Sequence, residues 1–220
     1  MKYIFVDFEM NPIAKEYRKQ RMHCGREIIQ IGAVMLDETF REISMFKSYV
    51  KPEFNTMIYK KFEELTGIST AQVATAGNFN QVMNNFLDWC GQDEYEIYAW
   101  STSDKIQIEK EMYIKELRPD IRMNYMFEHW LDFQKIFMEI VEEDKLISLE
   151  KALNACGIPF SGKQHDALYD ARNTSRLFVE SKRNDVSQCI KSIKKAMECT
   201  EEKTTLGDMF NFAALGLQLA

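Results

Sequence analysis

The stretch Lys2-Tyr3-Ile4-Phe5-Val6-Asp7-Phe8-Glu9 decides the fold. Its apolar run from Tyr3 to Val6 is rich in β-branched and aromatic residues and too short for a helix, so it reads as a strand buried on both faces. Side chains two apart on a strand share a face, so Asp7 and Glu9 point the same way and Phe8 points to the other side. Two acids on one face at the carboxyl end of a core strand repel each other unless a cation lies between them. Hard divalent ions such as Mg²⁺ take oxygen ligands and are commonly held by one or two carboxylates plus substrate phosphates. The pair therefore reads either as a metal site suited to phosphoryl chemistry or as a strand end meeting solvent.

Outward from this strand, Met10-Asn11-Pro12 predicts its end, because proline cannot continue a strand inside a sheet. The segment Lys15 to Arg26 carries Lys15, Arg18, Lys19, Arg21 and Arg26 and reads as a loop, either a solvated surface or a grip on a phosphate backbone. Ile28 to Leu36 is a second buried strand and Glu42 to Val50 a third. The short links between them predict an antiparallel meander. Helical spacing follows from Thr56 to a stop at Gly67, and again from Asn78 to Cys90. Tyr95 to Trp100 is a strand leading into a helix that reaches about Leu117. A strand-like piece spans Glu128 to Asp132, and a helix carries Phe137, Ile140 and Val141. Ser148 caps another helix, with Gly157 and Pro159 as its stop. A Gly-bearing turn from Ser161 to Asp166 feeds a helix to about Lys182, and a last helix runs from Val186 to Glu198. A meander followed by strands alternating with helices predicts an α/β fold with a mixed five-stranded sheet and helices on both faces.

The 220 residues suffice for one domain with a sizeable core, and 45% hydrophobic with 28% charged residues is the balance of a soluble globular protein. The net charge of −6 gives no global pull toward nucleic acid or anionic membrane. It does not exclude an enzyme whose metal ions supply positive charge locally. The five cysteines, Cys24, Cys90, Cys156, Cys189 and Cys199, are odd in number and lack a CxxC pair, which predicts reduced thiols and no zinc site. No apolar run approaches the ~20 residues that span a bilayer. The run after Lys2 is also too short for a secretory signal. A cytoplasmic location without a membrane partner is expected.

Three more polar positions carry the chemistry. Asp104 follows the strand ending at Trp100, where Ser101-x-x-Asp104 also suits a helix start. His165 sits in the Gly-bearing turn, and Asp170 lies five residues later; Asp166 fits as the N-cap of the helix. Taken together, Asp7-Phe8-Glu9, then Asp104, then His165-Asp166-Ala167-Leu168-Tyr169-Asp170-Ala171 resemble, in order and spacing, the DEDD family of 3′–5′ exonucleases in its histidine-bearing subgroup. Phe62-Glu63-Glu64-Leu65-Thr66-Gly67-Ile68 looks like another element of that family. The Asp-Phe-Glu form of the first motif is most similar to the branch of ERI-type RNA exonucleases and bacterial relatives.

The resemblance implies an RNase H-like fold over residues 1–183. Residues 184–220 would form a C-terminal helix and apolar tail packed on that domain or on a protein partner. It implies a metal-dependent 3′–5′ exonuclease that takes single-stranded RNA or DNA with a free 3′ end and releases nucleoside 5′-monophosphates. It implies two divalent cations, with Asp7 bridging them, Glu9 and Asp170 on the nucleophile side and Asp104 supporting the other. Oxygen donors favour Mg²⁺ or Mn²⁺ over Zn²⁺. An imidazole with an ordinary pKa of ~6.5 can take a proton from water near neutral pH, which suits His165 to the role of general base. Met10, Leu65 and Trp100 adjoin the motifs and are candidates for gripping the terminal nucleotide, or alternatively core residues. Two further readings remain. One is a proofreading subunit docked on a polymerase through the apolar tail. The other is a catalytically silent nucleic-acid-binding protein, against which all five motif positions are filled.

Overall fold

Strand β1 (Lys2–Pro12) lies inside the sheet in the computed structural model, which describes residues 1–183 and 187–201. A short helix α1 (Arg18–Arg21) leads to β2 (Arg26–Leu36), which turns into β3 (Glu42–Lys51). Next come α2 (Lys60–Thr66), α3 (Thr70–Ala74), the two-residue β4 (Gly77–Asn78) and α4 (Phe79–Cys90). Then follow β5 (Tyr95–Ala99), α5 (Ser103–Ile114), α6 (Ile121–Glu128), β6 (Trp130–Asp132) and α7 (Phe133–Ile140). The described chain closes with α8 (Leu149–Ala155), α9 (Ala167–Arg183) and α10 (Ser187–Glu201).

The strands order as β4-β3-β2-β1-β5-β6. The expected meander is present: β1 and β2 pair antiparallel, as do β2 and β3. β5 and β6 add in parallel beside β1, and β4 adds in parallel beside β3. The sheet thus has six strands rather than the expected five. The extra one, Gly77–Asn78, is too short for any periodicity to register, and Asn78 doubles as the N-cap of α4 in a capping box with Gln81. β1 also runs to Pro12, past the expected break. Pro12 is its last residue and pairs Arg26 on one side only, since β5 reaches no further than Phe5 on the other, so no ladder bond is lost.

Strand alternation sorts the core into two layers. Ile4, Val6 and Phe8 of β1 join Ile31, Ala33 and Met35 of β2 on the face covered by α4, α5 and α6. Phe5, Val34 and Leu36 face the other way, beneath α7, α8, α9 and α10. Phe5, Phe133, Phe137 and Phe178 are all fully buried there, each worth about 1.5–3 kcal/mol of transfer free energy. A third, small cluster joins Ile29 to Ile58, Ile68 and Val73 around α2 and α3.

Three helices went unread in the sequence: α1, a single turn without a side-chain cap inside the segment expected to be a loop, and two that are capped, α3 with a Ser69–Gln72 capping box and α6 whose Asp120 accepts the Met123 amide. Each of the latter two carries an N-cap signal that could have marked it. α10 packs on α8, burying Cys189 and Ile193, and a disulfide joins Cys156 to Cys189. This corrects the expectation of reduced thiols throughout. Cys156 and Cys189 are 33 residues apart, and only the docking of α10 on α8 brings them together. Cys24 and Cys90 are free and buried. No helix among the described residues is long and apolar enough to cross a membrane. The expected packing of the apolar tail, residues 202–220, falls outside the described residues.

Candidate active site

Asp7 and Glu9 share the α9 face of β1, and their partners across the ladder are Gly32 and Gln30 of β2. Those two partners seat the start of α9. The Gln30 side-chain carbonyl accepts the buried Ala167 amide at 2.9 Å, satisfying a donor that a helix N-terminus otherwise leaves open. Gly32 lies directly under the Ala167–Leu168 backbone, where any Cβ would collide with main-chain atoms. Glycine is therefore required there by close approach, and the approach carries Asp170, in the first turn of α9, to the two acids on β1.

Asp166 caps the helix as expected: its Oδ1 accepts the Leu168 amide at 3.2 Å, and its other carboxylate oxygen pairs with Lys47. His165 has left-handed backbone torsions (φ 60°), which cost a non-glycine residue about 1–2 kcal/mol. Its amide donates to Asp170 Oδ2 at 3.1 Å, tying the turn to the helix. The imidazole is exposed, and ligand atoms of Glu9, His165 and Asp170 all lie within 4.8 Å of one another.

Asp104 arrives from the opposite layer. It stands in the first turn of α5, only 6% exposed, and accepts the amide of Phe8. β5 stops alongside Phe5, so this stretch of β1 has no strand neighbour on that side and its amide is free for a carboxylate. Asp7 and Asp104 are not in the 4.8 Å set, but they belong to the same electrostatic cluster.

Burial, followed by the charges of Asp104, Asp170, Glu9 and Asp166, pushes Asp7 well above the usual carboxylate range. Glu9 is pushed up to about 8 by burial and then by Asp170, Asp166 and Asp104, with Lys163 opposing. Burial raises Asp104 to about 7, against the pull of its own amide and that of Phe8. Asp170 rises to about 6 through burial, with the His165 amide opposing. Four acids that resist ionising together, all with oxygen donors and no thiol among them, fit hard divalent cations.

The three candidates for gripping a nucleotide are placed differently. Leu65, on α2, is 45% exposed. Met10 follows the bulge after Glu9 and packs partly buried on the α4–α5 layer. Trp100 sits with its ring against Phe133 and Phe137, and its indole Nε1 is buried without a hydrogen-bond partner. Sequence reading missed Gln30, Gly32 and Lys163. The Lys163 ammonium lies over Gly67, the left-handed C-cap of α2 (φ 76°), where a side chain would displace it. No sequence signal pairs residues so far apart; only the seating of α9 does.

Residues 4–178 match the family described as exonuclease (RNase_T). The chain is 28% identical over 197 residues to ERI1 exoribonuclease 2 of Homo sapiens, covering 79% of this chain and 27% of that one. It is 27% identical over 158 residues to 3′-5′ exoribonuclease 1 of Homo sapiens, covering 70% of this chain and 45% of the relative. It therefore spans about a quarter of the first relative's length and under half of the second's. Among solved structures, the nuclease domain of 3′hExo, a DEDDh family member bound to rAMP, superposes with a TM-score of 0.69 at 24% identity, covering 81% of this chain and 90% of that one. Pop2p of S. pombe in its Mg²⁺- and Mn²⁺-bound form superposes with a TM-score of 0.62 at 19% identity, covering 84% of each chain. The fold is thus the RNase H-like one of the DEDDh nucleases, and the match over residues 4–178 makes this chain a member of the exonuclease (RNase_T) family.

Proposed function

We propose that the protein hydrolyses single-stranded RNA or DNA from the 3′ end, one nucleotide at a time, to nucleoside 5′-monophosphates. The observation that supports this is the electrostatic cluster of Asp7, Glu9, Asp104 and Asp170, drawn from three elements, with the exposed His165 within ligand reach of Glu9 and Asp170. Membership of the exonuclease family supports the reaction class, and relatives named exoribonucleases favour RNA.

The four carboxylates would hold two divalent cations, Mg²⁺ or Mn²⁺, and the presence of both ions in the Pop2p structure supports that choice. When bound, such ions make water a stronger nucleophile near neutral pH and offset the charge that builds on the departing 3′ oxygen. Asp104 is held by the Phe8 amide and Asp170 by the His165 amide, so neither carboxylate has to reorganise to act as a ligand. The His165 imidazole, exposed at the rim, takes the proton from the attacking water. Of the three candidates for gripping the terminal nucleotide, exposed Leu65 offers an apolar face to the base, while Met10 and Trp100 pack in the core layers; stacking on a base is worth about 1–3 kcal/mol.

The test is incubation of the pure protein with 5′-labelled single-stranded RNA or DNA in Mg²⁺ or Mn²⁺. A ladder shortening from the 3′ end, with mononucleotide product, is expected, and faster on RNA. Strands left intact in both metals, or cut internally, would reject this function.

A further inference from the structure

The hairpin between β1 and β2 holds five cations and one acid, Glu16, within residues 15–26 of a chain whose net charge is −6. Lys15, Arg18, Lys19, Arg21 and Arg26 are all exposed, and none has a carboxylate at ion-pair distance among the described residues. Elsewhere several cations are engaged, Lys47 with Asp166, Arg122 with Asp88 and Asp120, Arg172 with Glu42, and Lys115 with Glu27, while unpaired ones such as Lys51, Lys61 and Arg118 are scattered among the described residues rather than grouped. Concentrating unpaired charge at one hairpin raises self-repulsion and leaves a local field of the opposite sign to the whole molecule.

The hairpin also has a shaped surface. α1 faces the end of α5 across an open cleft of about 490 Å³ lined by Lys19, Gln20, Met22, His23, Tyr113 and Glu116 among others. The rings of His23 and Tyr113 lie 4.9 Å apart, and Tyr113 is 64% exposed. Of the five cations, Lys19 lines this cleft, and Arg18 and Arg21 stand exposed beside it on α1. Cations next to accessible rings are the chemistry of a single-strand track, in which charge follows the phosphates and rings take the bases.

Two elements run from the acid cluster to this cleft. β1 continues from Glu9 to Pro12, about 10 Å at strand rise. α5 runs from Asp104 to Tyr113, nine residues or about 14 Å at helical rise. Gln107, on α5, donates to the Arg26 carbonyl at 2.9 Å, so helix and hairpin are joined along the way. We propose that the basic face of α1, together with the cleft between α1 and the end of α5, binds the phosphodiester backbone of the single strand whose 3′ end lies at the acid cluster, several nucleotides upstream of the bond being cut. The proposal rests on the function proposed above, since that function puts the 3′ end at the acids.

The test compares wild type with Arg18→Ala/Lys19→Ala/Arg21→Ala on a dinucleotide and on a long single-stranded RNA. Binding of the long strand, ended by an uncleavable phosphorothioate linkage, is read by fluorescence anisotropy across a salt series. Removing three phosphate contacts should flatten the log–log salt slope by about 2. The wild type should then lose about 15-fold more affinity than the variant between 50 and 200 mM salt. KM on the long strand should rise while dinucleotide hydrolysis is unchanged, which also shows that the variant is folded. An unchanged salt slope and unchanged KM on the long strand would overturn the proposal. A wild type that cleaves neither substrate would instead reject the nuclease function, and the anisotropy series would still decide whether the cleft binds the strand.

Discussion

Glu9, pushed up to about 8, shows what the pocket asks of each acid in it. In an unfolded chain the same groups titrate near 4. With folded values of about 8, 7 and 6 for Glu9, Asp104 and Asp170, the native state holds more protons than the unfolded state across that interval. Stability is therefore full below about pH 4 on this account and is lost as pH rises toward 8. The melting temperature of the chelator-treated protein should fall from pH 5 to pH 8, and saturating Mg²⁺ should restore more of it at pH 8 than at pH 5. Asp7→Asn removes a charge from the cluster, so it should flatten this pH dependence and raise metal-free stability while abolishing hydrolysis. At the rim, His165→Ala should lower hydrolysis by about 10²–10⁴-fold, the usual worth of a general base. Its affinity for divalent cations should stay close to wild type; a matching loss of cation binding would make the imidazole a ligand instead. As candidates, Asp7, Glu9, His165 and Asp170 stand out in the sequence as close pairs, two acids two apart on a strand and a histidine and an aspartate around a helix start, whereas Asp104 stands out only through the order of the motifs. Gln30 and Gly32 do not stand out, because their roles exist only once Ala167 and Leu168 are set on them from the far end of the chain.

At the level of elements, the site depends on how two helices are held against the sheet. α9 is seated by the absence of a side chain at Gly32, so Gly32→Ala should push its first turn off β2. The expected cost is about 1–3 kcal/mol of stability, measured by denaturant unfolding, together with weaker cation binding because Asp170 moves with the helix. α5, which presents Asp104, is anchored at its other end by buried charge. Glu111 accepts the Ile28 amide at 2.8 Å, and Lys115 reaches Glu27 at 2.9 Å. Glu27 in turn accepts the amides of Glu53, Phe54 and Asn55. Lys115→Met would leave Glu27 and Glu111 buried without their cation and should cost about 3–5 kcal/mol. Strands and long helices were legible from periodicity and caps. The bulge after Glu9 and the strand continuing to Pro12 were not, since both depend on which neighbour lies alongside β1.

Across the whole molecule, the chain keeps a net negative charge while bringing four acids together at one site and five unpaired cations into one hairpin. Net charge reports only the sum; the local excess of cations from Lys15 to Arg26 is legible in the sequence, but its place beside the end of α5 is not. The same scale explains the cysteines: their odd number and lack of a CxxC pair gave no hint that α10 docks on α8 and joins Cys156 to Cys189. Under the proposed function, acids distant in the chain would act together as one cation site. Calorimetric titration with Mn²⁺ tests it most directly, on wild type beside Asp7→Asn, Glu9→Gln, Asp104→Asn and Asp170→Asn. Wild type is expected to bind Mn²⁺, and every one of the four variants to bind it more weakly. Wild-type Mn²⁺ affinity in Asp104→Asn or Asp170→Asn would contradict it.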